Sequence, residues 1–522
     1  MSNLPKGWLE SQLGELAVVD SGVGFPKDFQ GKTDGDYPVY KVGDVSRAVV
    51  SNRGGLSAAQ NYVSKEEAEE LRGRIFQPGS TLFAKIGEAL RLNRRAFVER
   101  AGLADNNVMG VKPLLDEMDK FTHYFLRQTD IASLSRSTTV PSVRKGDVES
   151  LRLPLPPLNE QKRIADKLDR LLARVDAVKV RLDRIPAILK RLRQSILAAA
   201  TTGKLTEEWR RQAVARIVPW TEHIQHACSS LPDGYTRLTK RAHEQAGVEF
   251  PRIVLPIGWA VTTIAELYDR RVLVDYADGN HGSFYPRKED FGSIGVPFLT
   301  AMQIGENWEL GLSACPRLRN EKARLLTKGW ARPNDVLLTH NATVGRVAIL
   351  EDSEQEILLG TSATFYRFNP NCVEPRFARI VFSAPFFQEQ LHSVMEQTTR
   401  NQVPITKQAS LNFVCPPIEE QREIVRRVEE LFAIADRIEA QYQAARARVD
   451  RLTQSLLAKA FRGELVPQDP NDEPAWVLLE RIRARRAAAP KPKRGRRKVA
   501  QPEDLPMVAE LKTPYGVKKR RT

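Results

Sequence analysis

The chain has 522 residues, of which 42% are hydrophobic, enough for three or more structural units with their own cores. It has no run of eighteen apolar residues that would predict a membrane span, and residues 1–8 lack the basic-then-apolar pattern of a secretion signal, so we expect a cytoplasmic protein. The net charge of +16 does not by itself establish nucleic-acid binding by the folded body, because the 15 basic and 3 acidic residues from Arg481 onward supply +12 of it.

Residues 1–155 are predicted to form a first mixed α/β domain, which opens with the segment Leu4–Trp8. Apolar runs between turn residues predict strands at 37–42 and around a turn at 77–83. Two polar clusters follow, at 85–95 and 135–139, and they contain the side-chain types that contact DNA phosphates and base edges. We therefore predict DNA contacts from Lys85, Arg91, Asn93, Arg94, Arg95, Arg136, Thr138 and Thr139.

Residues 156–205 are predicted to form a first long helix, because apolar residues recur at alternating steps of four and three. Pro186 should kink or interrupt this helix, since proline removes a backbone donor. Gly203 suits the left-handed position just beyond its end. The predicted helix seam consists of Ile164, Leu168, Leu171, Val175, Val178, Leu182, Ile185, Leu189, Leu192 and Ile196.

Residues 206–254 form a connector whose tryptophans and histidines have no role that the sequence assigns. Residues 255–415 are predicted to form a second mixed α/β domain, with strands at 296–301 and around a turn at 332–338. Its polar clusters at 339–346 and 398–402 correspond to those of the first domain. We predict DNA contacts here from Thr339, His340, Asn341, Thr343, Arg346, Thr399, Arg400, Asn401 and Gln402.

Residues 416–466 are predicted to form a second long helix with the same alternating spacing. The predicted seam consists of Ile424, Val428, Leu431, Ala435, Ile438, Tyr442, Ala445, Val449, Leu452 and Leu456. The tail at 467–522 is rich in Pro, Ala, Lys and Arg, and we predict that it is disordered. Its basic segment at 493–498 fits either a minor-groove contact or non-specific attraction to phosphates.

The chain is internally duplicated. Leu4–Trp8 returns as Leu255–Trp259, 251 positions later, and Pro156–Gln161 returns as Pro416–Gln421, 260 positions later. Between these matching motifs, the sequences of residues 9–150 and 260–410 differ strongly from each other. The predicted fold class is α+β: two mixed α/β domains in tandem, each followed by a long helix, with the two helices paired as an antiparallel coiled coil. The alternative is that each apolar stripe packs on its own domain.

Ordinary solvated loops are the alternative explanation for the polar clusters. Their occurrence in both halves of the chain favours DNA contacts. Arginine can form a bidentate contact with guanine or bind a phosphate, so Arg91, Arg94, Arg346 and Arg400 are the strongest candidates.

This layout resembles the specificity subunits of type I restriction–modification systems: a Leu-Pro-x-Gly-Trp opening, a variable domain, Pro-Pro-x-x-Glu-Gln and a long helix, all twice. The resemblance covers roughly residues 1–466. It implies that each variable domain is a target recognition domain reading one half of a bipartite, asymmetric double-stranded DNA target. It also implies that the helices space the two halves and dock two modification subunits, which methylate adenine. Restriction subunits with motor and nuclease activity would then join them. S-adenosylmethionine, ATP and Mg²⁺ would bind those partners, and no cofactor would bind this chain.

The sequence contains no constellation of catalytic residues that we can identify. The segment 31–33 lacks the glycine spacing of a phosphate loop, and His340 has no matched cysteine or acid. We therefore expect a non-catalytic chain without a metal site. The alternatives are a divergent nuclease or methyltransferase, or a coiled-coil scaffold whose variable domains bind proteins. The four cysteines lack metal-ligand spacing and are predicted to be lone, small hydrophobic residues: Cys228, Cys315, Cys372 and Cys415.

Overall fold

The structure is a computed structural model that describes residues 4–135, 140–213, 218–228, 248–250, 253–279, 285–351, 355–397 and 401–488. Two compact units are present. Unit 1 consists of Met1–Asp176 and Arg451–Thr522, and unit 2 consists of Ala177–Asp450. Among the described residues, no helix is long and apolar enough to cross a membrane.

Short strands and helices precede the first long helix. The strands are β1 (Leu9–Gln12), β2 (Ala17–Ser21), β3 (Tyr37–Tyr40), β4 (Gly55–Leu56), β5 (Tyr62–Val63), β6 (Thr81–Ala84), β7 (Ala96–Val98), β8 (Leu103–Ala104), β9 (Val108–Pro113) and β10 (Arg152–Leu155). The helices are α1 (Leu13–Leu16), α2 (Val42–Ser51), α3 (Lys65–Glu70), α4 (Glu88–Arg91), α5 (Asp119–Gln128), α6 (Lys145–Glu149) and α7 (Leu158–Leu182).

The rest of the chain contains a second set of strands and helices, which ends in the second long helix and a shorter one. The helices are α8 (Ile185–Thr201), α9 (Glu207–Ala213), α10 (Trp220–Ala227), α11 (Ile264–Asp269), α12 (Asn320–Ala323), α13 (Pro375–Ser383), α14 (Pro385–Ser393), α15 (Ile405–Gln408), α16 (Ile418–Phe461) and α17 (Ala475–Ala488). The strands are β11 (Ala260–Thr263), β12 (Leu273–Asp278), β13 (Phe291–Gly292), β14 (Val296–Leu299), β15 (Arg317–Leu318), β16 (Trp330–Ala331), β17 (Val336–Thr339), β18 (Val347–Ile349), β19 (Ile357–Leu359), β20 (Ala363–Phe368), β21 (Glu396–Gln397), β22 (Asn401–Gln402) and β23 (Asn412–Cys415). Short 3-10 helices lie at Lys27–Phe29, Asp116–Met118, Ile131–Leu134, Lys204–Thr206, Lys288–Asp290, Ala301–Gln303 and Leu312–Ala314.

Both units have mixed sheets, in agreement with the predicted fold class. Unit 1 contains a sheet in the order β2-β9-β6-β7-β4 and another in the order β5-β3-β8. Unit 2 contains sheets in the orders β12-β20-β17-β18 and β13-β15-β14-β19-β16. The strand pairs β3–β8 and β14–β19 are parallel, whereas β6 and β17 pair antiparallel with both of their neighbours.

The duplicated motifs lie together because the first and last strands of each domain pair antiparallel. β1 pairs with β10 and β11 pairs with β23. These pairings bring the tryptophan that precedes the first strand to the glutamate that follows the last. The indole Nε1 of Trp8 donates to Glu160 Oε2 at 3.0 Å, and that of Trp259 donates to Glu420 Oε2 at 2.8 Å. We call each contact a latch; it closes its domain at the start of a long helix.

The long helices pair antiparallel in unit 2, as predicted. Lys179 Nζ lies 2.9 Å from Asp450 Oδ1. Arg193 Nη2 lies 2.7 Å from Asp436 Oδ1 and 2.8 Å from Glu439 Oε2. As the residue number rises along the first helix it falls along the second, so the two run in opposite directions.

Sixteen of the twenty predicted seam residues of the two helices are buried or half-buried, and the other four depart from the predicted heptad. Four of the positions on α16 that are not exposed lie eleven residues apart, at Ile424, Ala435, Arg446 and Leu457. An eleven-residue repeat corresponds to 3.67 residues per turn, near that of a straight helix, so a strict heptad rotates away from the partner. Four predicted seam residues are accordingly exposed: Val178, Leu192, Ile438 and Leu452. The others are buried (Ile164, Leu168, Val175, Leu189, Ile196, Ile424, Val428, Ala435) or half-buried (Leu171, Leu182, Ile185, Leu431, Tyr442, Ala445, Val449, Leu456).

The predicted interruption at Pro186 is confirmed, because α7 ends at Leu182 and α8 begins at Ile185 with the proline in its first turn. The predicted left-handed position of Gly203 is confirmed as well, and Gly463 after the second long helix matches it. Gly203 and Gly463 both have φ of +75°.

The predicted boundary of the disordered tail is wrong. α17 lies within this tail, and its Leu478 and Ile482 are fully buried in the core of unit 1. That core also contains Phe461, whose ring centroid lies 5.1 Å from that of Phe121. These apolar side chains stabilise the helix, whereas the average composition of the tail suggested a solvated chain. Residues 489–522, including the basic segment 493–498, lie outside the described residues.

The connector, which had no predicted role, contributes to the core of unit 2. Trp220 on α10 is 1% exposed, and its Nε1 donates to the carbonyl oxygen of Cys372 at 3.2 Å. The prediction of four lone cysteines is wrong for one pair, since α10 brings Cys228 to Cys372 and the two form a disulfide. Cys315 and Cys415 are free and buried.

Candidate nucleic-acid interface

A turn and a central strand position the first polar cluster of each domain. Ser80 N donates to Gln77 O at 3.1 Å ahead of β6, and Asp335 N donates to Arg332 O at 3.0 Å ahead of β17. Both strands have a hydrogen-bonded neighbour on each side. The loop that follows each strand therefore leaves the sheet from a fixed place.

In unit 1 this loop joins the segment just before the last strand of the domain. Val143 N donates to Lys85 O at 3.0 Å, and Gly87 N donates to Pro141 O at 2.8 Å. Ile86 and Ser142 form an antiparallel bridge between them. The stretch 85–95 thus lies beside the chain that leaves the second polar cluster.

Unit 2 has the same arrangement. Val403 N donates to His340 O at 2.8 Å, and Ala342 N donates to Asn401 O at 3.0 Å. Asn341 and Gln402 form an antiparallel bridge, at the place that Ile86 and Ser142 occupy in unit 1. Gln402 also pairs with Glu396 in the two-stranded β21–β22 ribbon. Polar segments that are far apart in sequence therefore meet in each domain.

Three basic residues of the first cluster remain candidates for DNA contacts. Lys85 and Arg94 are half-buried. Arg91 is exposed at the end of α4, where its Nη1 lies 3.5 Å from Glu88 Oε2. The predicted residues Arg136, Thr138 and Thr139 lie outside the described residues.

The burial of Arg95 contradicts its predicted DNA contact, whereas the contact predicted for half-buried Asn93 stays a prediction. Arg95 is 3% exposed, with its guanidinium 4.9 Å from the centroid of Phe83. Its Nε donates to the carbonyl oxygen of Leu126 at 3.1 Å, and its Nη2 donates to Asn93 Oδ1. Burial lowers the pKa of Arg95 to about 9. Arg95 therefore holds the base of the loop, and Asn93 is one of its acceptors.

The prediction is also wrong for Thr339 and His340, which are 0% and 2% exposed. His340 Nδ1 lies 2.9 Å from Thr364 Oγ1 on the neighbouring strand. Thr339 ends β17, which is buried over its whole length, and His340 directly after the strand is buried as well, so both side chains belong to the core. Sequence reasoning placed the start of the loop two residues too early.

The rest of the second domain's predicted set lies at the surface or outside the described residues. Asn341 and Thr343 are half-buried, and Asn401 and Gln402 are exposed. Arg346 is half-buried; its Nη1 donates to Ile304 O at 2.9 Å, and its Nη2 lies 3.8 Å from Glu306 Oε1. Thr399 and Arg400 lie outside the described residues.

Sequence reasoning missed Ile86 and Ser142, whose side chains are both exposed at the bridge of unit 1. Their signal was present in the duplication, since Ser142 lies 260 positions before Gln402. Among the described residues there is no group of three or more His, Cys, Asp and Glu side chains that could hold a metal ion.

The fold and the two equivalent loop clusters define a protein with two homologous recognition-type domains. A family model described as "Type I restriction modification DNA specificity domain" matches residues 5–187 and 287–445. The chain belongs to this family.

Two curated relatives match almost end to end. The EcoBI type I restriction enzyme specificity subunit of Escherichia coli is 30% identical over 505 residues, which cover 94% of this chain and 95% of the relative. The EcoKI specificity subunit of E. coli K12 is 28% identical over 508 residues, covering 95% and 99%. A solved chain from a study of complex assembly and conformational transition of the type I R-M system is 19% identical, with a TM-score of 0.61 over 89% of this chain and 100% of that one. This last likeness supports the fold.

Proposed function

We propose that this chain is the DNA-sequence-specificity subunit of a type I restriction–modification complex. Each domain reads one half of a bipartite, asymmetric target, and the long helices set the spacing between the halves. The family match in both halves of the chain is the observation that carries this proposal. The geometry supports this proposal, because two polar segments meet at an equivalent place in each unit. They are bridged at Ile86–Ser142 in unit 1 and at Asn341–Gln402 in unit 2.

The chemistry belongs to partner subunits in this proposal. Two modification subunits dock on the helices and methylate adenine with S-adenosylmethionine, and restriction subunits use ATP and Mg²⁺. This chain has no enzymatic activity of its own and works in the cytoplasm. The proposal gains support from the names of the relatives, which are specificity subunits of restriction enzymes.

A domain exchange tests the division of labour. The chain is expressed with its modification subunits in cells without other methylation, and residues 260–415 are replaced by the corresponding filling of a relative. We expect methylome sequencing to show a change in one half of the methylated motif, with the other half and its methylation intact. The matched exchange of residues 9–150 should change the other half. A motif that is unchanged by either exchange, or altered in both halves by one, contradicts the proposal.

A second experiment separates the proposal from an enzymatic function. The purified chain is incubated alone with DNA, Mg²⁺, ATP and S-adenosylmethionine, and methylation and cleavage are measured. We expect neither product, and we expect methylation to appear when the modification subunits are added. Methylation or cleavage by the chain alone would favour a divergent enzyme.

Alanine substitution tests the arginines that remain available. In Arg91→Ala and Arg94→Ala complexes, a lost guanine contact relaxes the sequence preference at one position, with a discrimination of about 1–3 kcal/mol. A lost phosphate contact weakens binding to all DNA sequences alike. It also lowers the slope of log affinity against log salt concentration by about one. If neither substitution changes affinity or preference, the loop does not contact DNA.

A further inference from the structure

The bridges Asn341–Gln402 and Ile86–Ser142 occupy the same place in the two units but carry different chemistry. Residues directly opposite each other in an antiparallel pair project to the same face of the sheet, with Cβ atoms about 5 Å apart. Each bridge therefore presents two neighbouring side chains in one direction. In unit 2 both side chains are amides, and in unit 1 they are an apolar group and a hydroxyl.

The side chains at both bridges are available, because the bridges are held by backbone atoms. Hydrogen bonds from Ala342 N and Val403 N flank the bridge of unit 2, and those from Gly87 N and Val143 N flank that of unit 1. Gln402, Ile86 and Ser142 are exposed and Asn341 is half-buried. Neither amide makes a side-chain hydrogen bond within the described part of the chain.

The neighbouring atoms make each bridge rigid enough to discriminate. Asn341 directly follows the fully buried residues Thr339 and His340, and Val403 directly after Gln402 is also fully buried. In unit 1, Val143 after Ser142 is 5% exposed. A side chain on such anchored backbone loses little conformational freedom when it binds, which favours contacts that depend on direction.

We propose that the two bridges are the base-reading positions: Gln402 with Asn341 reads an adenine in one half of the target, and Ile86 with Ser142 reads a thymine in the other. This rests on the proposed function of the chain. Asn and Gln amides bind the N6 and N7 edge of adenine in a bidentate way, whereas apolar groups contact the C5-methyl of thymine. The bridges thus differ in which base edge they fit.

Base analogues test the amide bridge. A randomised duplex pool is selected with the complex of this chain and its modification subunits, which gives the preferred target. Adenines in each half are then replaced one at a time by 7-deazaadenine, which lacks the N7 acceptor. At one adenine we expect binding to fall by roughly tenfold to a hundredfold. In the Gln402→Ala complex that penalty should fall to less than threefold, because the bidentate contact is already lost.

Asn401→Ala is the matched control. Asn401 is also an exposed amide of β22 and a predicted DNA contact, but consecutive strand residues project to opposite faces. Whatever its loss does to overall affinity, the factor by which 7-deazaadenine weakens binding should therefore stay the same as in wild type. If no adenine is sensitive to the analogue, or if the penalty persists in Gln402→Ala, the proposal is wrong for unit 2. A pool that yields no preferred target would instead contradict the proposed function itself.

Uracil substitution tests the apolar bridge, because uracil lacks only the methyl group. At one thymine in the half that Gln402→Ala does not affect, we expect uracil to weaken binding about fourfold, the value of one buried methyl. Ile86→Ala should abolish this preference, and Leu92→Ala, an exposed apolar residue of the same loop, should retain it. An equal preference for thymine in wild type and Ile86→Ala overturns the assignment. Thermal melting of each variant beside wild type verifies that it is folded.

Discussion

The two latches are the same hydrogen bond in two different electrostatic settings. Glu420 in unit 2 also accepts from Thr206 Oγ1 at 2.7 Å and forms an ion pair with Arg210. Glu160 in unit 1 has only the indole of Trp8, and its Oε1 is buried without a hydrogen-bond partner in the described residues. Arg163, whose positive charge acts on the Glu160 carboxyl, hydrogen-bonds Asp472 instead of Glu160. Duplication preserved the contact made by the two motif residues, and the segments after the helices diverged around it.

The largest difference in stability between the two units should come from replacing the glutamate of each latch by glutamine. In Glu420→Gln, Arg210 is left without its carboxylate while its side chain is only 15% exposed. We expect unit 2 to lose about 3–5 kcal/mol of its free energy of unfolding. Glu160→Gln keeps an acceptor for Trp8 and removes an under-satisfied charge, so unit 1 should be unchanged or more stable at pH 7. Hydrogen exchange of peptides from each unit in the full chain measures both, and equal losses would contradict the difference.

Removing the indole N–H should affect the latches in the opposite order. Trp8→Phe leaves the Glu160 carboxylate with no hydrogen bond, whereas Glu420 in Trp259→Phe retains Thr206 and Arg210. We expect a loss of about 2–3 kcal/mol in unit 1 and about 1 kcal/mol in unit 2. Trp476→Phe serves as the control, because that side chain is 56% exposed. A larger loss in unit 2 would show that the extra partners of Glu420 do not compensate.

The stability of unit 1 should depend on pH through the carboxyl group of Glu160 in its latch. Burial raises the pKa of the Glu160 carboxyl above 4.5, so the folded chain holds a proton that the unfolded chain has released. The free energy of unfolding of unit 1 should therefore fall as pH rises from 4.5 through the raised pKa. Hydrogen exchange across this range should show that slope in wild type and a smaller one in Glu160→Gln. The assignment is wrong if, over this pH range, the stability of wild type relative to Glu160→Gln rises with pH.

Salt should have the smallest effect, confined to the helix pair of unit 2. There Arg193 is 12% exposed and binds two partly exposed carboxylates, so screening weakens its interactions. Arg193→Ala should cost about 1 kcal/mol at low ionic strength and less at high salt, and Arg191→Ala, an exposed neighbour, should cost little. In unit 1 the end of α16 packs through Phe461 and Leu457, so exchange there should be insensitive to salt.

The sequence predicted what repetition and periodicity encode. The duplicated motifs predicted two domains, the long apolar stripes predicted two paired helices, and Pro186 predicted the break. Sequence reasoning failed where two residue repeats share most of their positions, or where a side chain packs on a residue far away in the sequence. A heptad and an eleven-residue repeat share most of their positions, so they differ only at places such as exposed Leu192, whose neighbour Arg193 is half-buried, and exposed Ile438 and Leu452. Arg95 has the composition of a DNA contact, and only its burial on Phe83 reveals a structural role.

The composition of unit 1 from both ends of the chain has a consequence for its synthesis. Residues up to 176 leave the ribosome roughly 300 positions before Leu478 and Ile482, which fill the same core. At about 5–20 residues per second, the early part of the unit waits roughly 15–60 seconds for its remaining core residues. Unit 2 is contiguous in sequence and has no such delay. Unit 2 can therefore complete its core before unit 1 does. A chain that terminates before Leu478 lacks residues that the core of unit 1 requires.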